Sequence, residues 1–198
     1  MNISIKAITA LEKVTILEEV VFLICNGFKS KFTHLLFSEA EVHKLMYAFC
    51  HYIYTEKGEN LLIALNNDKI CGCLFLTSKA DSYYHLFHSL SNFLSFSQRL
   101  KLIFLLGLLS HKPKANERYI DFITVSPFSR GQGIGTALIF HCISYFPNER
   151  ITLYVSKSNI IAYQLYQKLG FQVIKKDKNI LISILTGVKE WHMMEWIK

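Results

Sequence analysis

The chain has 198 residues, 51% of them hydrophobic and 19% charged, with a formal net charge of +7. That length suits one domain with a substantial core, and the composition, with a mean hydropathy of +0.25, excludes a disordered or acidic-tail protein. The positive balance favours anionic partners in general, but no lysine or arginine cluster and no DNA- or RNA-binding motif accompanies it, so nucleic acid is not expected among the partners.

Residues 3–8, ISIKAI, alternate polar and apolar side chains and predict a first strand. Leu11, Val14, Ile16, Leu17, Val20, Val21 and Ile24 fall largely on one helical face and predict a helix over 11–25. The opening residues have neither a long apolar stretch nor a small-residue cleavage site, so no leader is expected and the cytoplasm is the expected compartment. Residues 27–37 read as an aromatic-bearing loop. Ser38 followed by Glu41 has capping-box spacing and opens a helix over 39–54. The runs 61–65 and 70–76 flank Asn66, Asn67, Asp68 and Lys69 and read as an antiparallel hairpin, because Asn and Asp tolerate tight-turn dihedrals.

From 78 to 116 the pattern turns helical and aromatic and closes with the breaker run HKPKAN. This segment reads as a helical insertion between the third and fourth strands of a single domain spanning 1–198. Its most apolar part, LIFLLGLL at 102–109, is far short of the roughly 20 residues of a membrane span. It predicts a buried or interfacial helix, and in the second case a homodimer. Residues 119–125, 133–146 and 151–155 read as strand, helix and strand, a unit that implies two parallel neighbouring strands with a right-handed crossover. A helix over 159–169 ends at Gly170, the expected left-handed cap, and 171–174, 180–185 and 191–197 read as closing strands. The expected class is α/β (α+β), a central twisted mixed sheet flanked by helices.

Between the strand at 119–125 and its helix lies VSPFSRGQGIGTAL, which holds three of the nine glycines, Gly131, Gly133 and Gly135. Bare backbone at a helix N-terminus lets N–H groups converge on an anion, usually a phosphate. A phosphate-binding Walker loop would need Gly-Lys-Ser/Thr, which is absent. A dinucleotide fingerprint would need GxGxxG and an acidic residue after the next strand; here the glycines run GxGxG and that strand ends Val155, Ser156, Lys157. Five cysteines without a CxxC pair read as buried small hydrophobes. His85 and His88 have no further ligand at metal-binding spacing, so no metal is expected. No GxSxG or comparable nucleophile context supports an acyl-enzyme.

RGQGIG, at 130–135 behind Val125, Ser126 and Pro127, resembles the cofactor loop of the GNAT superfamily of acetyl-CoA-dependent N-acetyltransferases. NIIAYQLYQKLGF, at 159–171, resembles that family's second signature, and HMMEW, at 192–196, its last strand. The resemblance implies the GNAT fold and acetyl-CoA as cosubstrate. It implies that Arg130, Gly131, Gln132, Gly133, Gly135 and Thr136 bind the pyrophosphate, and that Asn159 also contacts coenzyme A. The backbone of Ile123 and Val125 would pair with the pantetheine arm, and an N–H near Ile123 would polarise the thioester. Tyr166 matches the tyrosine that protonates the leaving thiolate. Asp121, placed by simple alternation on the face of Ile123 and Val125, takes the position of the family's general base, with Glu117 in reserve.

The implied acceptor is a primary amine of a small molecule or a peptide N-terminus, acetylated in one ternary complex. Its pocket walls are expected from 27–37 and from the insertion, where Tyr83, Tyr84, His85 and Phe87 are candidates. A silent coenzyme A-binding sensory module of the same fold is the alternative.

Overall fold

Seven β-rich runs form strands in the computed structural model, which describes residues 3–11, 15–33 and 36–197. They are β1 (Ile3–Ala7), β2 (Leu61–Asn66), β3 (Lys69–Ser78), β4 (Glu117–Val125), β5 (Arg150–Ser156), β6 (Phe171–Asp177) and β7 (Trp191–Trp196). The sheet order is β1-β2-β3-β4-β5-β7-β6. β4 and β5 run parallel and every other neighbouring pair is antiparallel. The β2–β3 turn forms as its composition predicts: Asn67 and Asp68 take φ of 49° and 61°, the left-handed pair that matches strand twist.

Among the described residues seven α-helices accompany the sheet: α1 (Ile16–Thr33), α2 (Glu39–Lys57), α3 (Leu86–Ser89), α4 (Phe96–Leu109), α5 (Ile134–Tyr145), α6 (Ile160–Lys168) and α7 (Ile180–Thr186). Strand alternation sorts the sheet's side chains between two cores. Ile63, Cys73, Phe75 and Phe122 pack beneath α1, α2 and α4. Leu74, Leu76, Ile120 and Ile123 pack beneath α5 and α6 on the opposite face.

The capping box at the start of α2 is present, with Ser38 N–H and hydroxyl both donating to Glu41 Oε2 at 2.9 Å. α4 opens with a second box, Ser95 with Gln98. Gln98 Nε2 also reaches Glu41 Oε1 at 3.1 Å, so one carboxylate serves both helix starts. The insertion enters through Asp81, which accepts from Lys57 Nζ at 2.8 Å and from the Ser78 N–H at 2.7 Å. α4 buries Leu102 and Leu105 and leaves Phe96, Leu100 and Phe104 exposed at four-residue spacing. Among the described residues no helix is long and apolar enough to cross a membrane.

Two expectations fail. The segment 27–33 belongs to α1, not to a loop; Gly27 is there for a close approach, since a Cβ would lie 2.5 Å from Thr124 Oγ1 of β4. The run 180–185 is α7 and not a strand. Asn179 caps it by accepting from the Ile182 N–H at 3.1 Å, and Gly187 ends it at φ 73°. A short apolar run fits either period, and the two caps decide. Residues 12–14 of the first expected helix and residues 34–35 of the expected loop lie outside the described residues.

Candidate active site

β4 and β5 pair from Glu117↔Arg150 to Ile120↔Leu153 and then part. Beyond that point β5 continues along β7, with Tyr154↔Met193 and Val155↔His192. The edge of β4 from Phe122 to Val125 therefore has no strand partner on its β5 side among the described residues, and this stretch of edge is available to an extended guest. A cleft of about 1740 Å³ occupies the gap.

The glycine loop forms one end of this cleft. Gly131 and Gly133 take φ of 74° and 78°, a region L side chains rarely adopt, and a Cβ on either would meet nothing within 4 Å. Their demand is conformational, and the space in front of them stays free. Gly133 caps α5, whose first intrahelical bond is Ala137 N–H to Gly133 O, so the first N–H groups of the helix have no partner within it. No acidic residue stands in that first turn, which leaves the positive end of the helix dipole uncompensated. Arg130 Nε donates to Val125 O at 3.4 Å and folds the loop back onto β4. Arg130, Gly131, Gly133, Gly135 and Thr136 line the cleft, whereas Gln132 turns away, its amide donating to Phe128 O at 3.2 Å.

The other expected residues come to the same cleft: Asp121, Ile123 and Val125 from β4, Asn159 and Tyr166 from α6. Asn159 caps α6, its side chain accepting from the Ala162 N–H at 3.3 Å. Tyr166 is buried with its ring 5.9 Å from that of Phe171, and burial pushes its phenol well up, so it stays protonated. Asp121 differs from expectation. Phe75 pairs with Phe122 and Leu76 with Ile120, which makes Asp121 the extra residue of a β-bulge. Ile120, not Asp121, therefore shares the face of Ile123 and Val125. Asp121 instead lies near Tyr83 and Tyr119, where burial first and the Asp121 charge second push both phenols up.

Glu117, the reserve base, is spent. Its buried carboxylate accepts from Thr152 Oγ1 at 2.6 Å, from the Lys114 N–H at 2.8 Å and lies 2.8 Å from His111 Nε2. The insertion reaches the cleft through its far end, Leu106 and 108–112 with His111, rather than through Tyr83, Tyr84, His85 and Phe87, which do not line it. Tyr83 is turned onto Tyr52, with Lys57 Nζ 5.0 Å above its ring, and Tyr84 is 86% exposed. Gly27 and Phe28 of α1 do line the cleft. Sequence reading missed His111, Tyr154 and the α7 wall with Asn179, Ile182 and Thr186; the caps Asn179 and Gly187 were the signal for the last. Among the described residues no group of three or more His, Cys, Asp or Glu is placed to hold a metal.

An open strand edge, parted parallel strands and a glycine-capped helix thus meet in one cleft. Residues 27–171 match the pattern of the Acetyltransferase (GNAT) family, and the chain belongs to that family. A stretch of 72 residues is 43% identical to the human (Homo sapiens) Cysteine-rich protein 2-binding protein; it covers 36% of this chain and 9% of the length of that relative. The whole fold resembles an N-acetyltransferase from Staphylococcus aureus Mu50, with a TM-score of 0.69, 15% identity and 97% and 99% of the two chains covered. It also resembles the PaiA N-acetyltransferase from Thermoplasma acidophilum in complex with coenzyme A, with a TM-score of 0.59, 16% identity and 100% of each chain covered.

Proposed function

We propose that the protein transfers the acetyl group of acetyl-CoA directly to a primary amine, on a small molecule or a peptide N-terminus, within one ternary complex. The observation that carries this reading is the parting of β4 and β5 after Ile120 and Leu153, directly beside the glycine loop. The residues fit the donor: open space before two left-handed glycines, unpartnered helix N–H groups and no acidic side chain in the first turn suit a pyrophosphate. Bound acetyl-CoA would supply an activated thioester.

This chain's residues would do the rest. The backbone of Ile123 and Val125 holds the pantetheine arm as an added strand, and an N–H near Ile123 polarises the carbonyl, where negative charge develops. Asp121 takes a proton from the attacking amine through a bridging water. Tyr166 gives its proton to the departing thiolate; its phenol, pushed up by burial, is a weaker acid than a thiol near about 8.5, so the step is uphill and relies on a preorganised site. Burial of Cys50, Cys71, Cys73 and Cys142 suits the reducing cytoplasm as the place of reaction.

The test is thiol release from acetyl-CoA across a panel of amines, for wild type and Tyr166→Phe. Tyr166→Phe is expected to lower kcat by about 10²- to 10⁴-fold, the usual worth of a positioned proton donor, with coenzyme A binding kept. Binding of coenzyme A without thiol release for any amine would convert the reading to the silent sensory module. Unchanged turnover in Tyr166→Phe would remove Tyr166 from its role.

A further inference from the structure

An alkylamine reaches an active site as an ammonium ion, with a Lys-like pKa of about 10.4. It must lose one proton before it attacks and a second as the amide forms. Asp121 accounts for one of the two. We propose that His111 is a further catalytic residue, whose Nδ1 takes the first proton, and that Glu117 is the positioning residue that holds its ring. This rests on the acetyl-transfer reading above.

The Glu117 side chain is 1% exposed and its oxygens are engaged by Thr152, Lys114 and His111. Burial pushes the carboxyl up, but the hydrogen bonds from Thr152, Lys114 and His111 outweigh it and hold it below its ordinary value, so it is charged. An ionised carboxylate only accepts, so the proton of the 2.8 Å contact sits on His111 Nε2, which leaves Nδ1 as the ring atom that takes up a proton when the ring is neutral. Nδ1 forms no hydrogen bond within the described residues and is not among the buried atoms that lack one. It faces accessible space, and His111 lines the cleft.

The ring lies 4.8 Å from that of Tyr119 and 6.0 Å from that of Tyr154. Tyr119 is one residue before the last β4–β5 pair, so His111 stands over the point where the strands part. Asp121 lines the same cleft. The Tyr154 hydroxyl is committed to Asp177 at 2.6 Å and does not compete for Nδ1.

The protons balance. The ammonium gives its first proton to Nδ1, and Glu117 neutralises the imidazolium. The C–N bond forms, the second N–H proton passes through water to Asp121, the C–S bond breaks and the thiolate takes the Tyr166 proton. Asp121 returns a proton to Tyr166 through water, and His111 releases the one net proton to solvent.

The test uses the full chain, acetyl-CoA and two amines at pH 7: 2-phenylethylamine, which arrives charged, and its β,β-difluoro analogue, which fluorine makes far less basic. His111→Gln is expected to lower kcat/KM for the first by roughly 100-fold or more and for the second by less than about tenfold, because only proton acceptance is removed. Equal losses on both amines would mean a structural role and overturn the proposal. Nitrogen-15 NMR of the His111 ring gives a readout free of turnover. A downfield Nε2–H proton that Glu117→Gln abolishes is expected, and an Nδ1–H tautomer would overturn the assignment. Wild-type silence on every amine would sink the transferase reading, and this role with it, whatever the ring spectrum shows.

Discussion

The cleft has two halves that differ in how the chain makes them. The half around the glycine loop comes from one continuous stretch, β4 to α6, and rests on backbone devices: left-handed glycines, a helix N-terminus and an open strand edge. The opposite half gathers α1, the end of α4, and the segment from β6 through α7 to β7. Its groups are set by tertiary packing, as where Gly27 of α1 lies against Thr124 of β4. Local devices keep one shape wherever they are placed, whereas a wall assembled from distant segments is free to change without disturbing them. On the acetyl-transfer reading proposed above, the difference teaches that donor binding and choice of acceptor are separable properties of this fold.

Substitutions that strike one half alone test that separation. The largest expected effect on stability is at Gly27, where α1 lies against Thr124. Gly27→Val is expected to cost up to about 3 kcal/mol through overpacking, read as a lowered urea midpoint, and to weaken acceptor use more than coenzyme A binding. A smaller effect is expected from Gly133→Ala, where a Cβ must adopt φ 78° at a cost of about 1–2 kcal/mol. Its signature is the reverse, a loss of coenzyme A affinity by calorimetry with the KM for the amine held. Equal losses of both affinities in either variant would break the comparison.

The smallest effect is on stability and is read against pH. The Glu117 carboxyl is lowered in the folded protein, net of its burial, so it contributes stability that is fully present above its unfolded value of about 4.3 and is lost as pH falls through the lower folded value. Glu117→Gln is expected to be less stable than wild type at neutral pH, with the gap closing as pH falls below about 4. Urea midpoints measured across that range would show it, and a gap independent of pH would refute it.

The loop half was legible in the sequence because its signals are local. Gly131, Gly133, Asn159 and Gly170 each announce a backbone requirement at their own position, and each meets it. The rest was not, for physical reasons. A bulge is one extra residue in an otherwise regular alternation, so nothing in ERYIDFITV says that Asp121 leaves the face of Ile123. A glycine that permits close approach looks like one that starts a loop, which misled at Gly27. The run ILISILT is apolar at both strand and helix periods. His111 and Glu117 are six residues apart, and only the fold of the insertion's last turn onto β4 makes them partners.

Glu41 carries a consequence of its own. Because one oxygen closes the box of α2 and the other accepts from Gln98 of the α4 box, the insertion cannot lift from α2 without breaking the bond that ties the two helix starts together. The opening of segment 78–116 is therefore coupled to the start of α2, and Gln98→Ala should raise amide exchange in the first turn of α4 more than in that of α2.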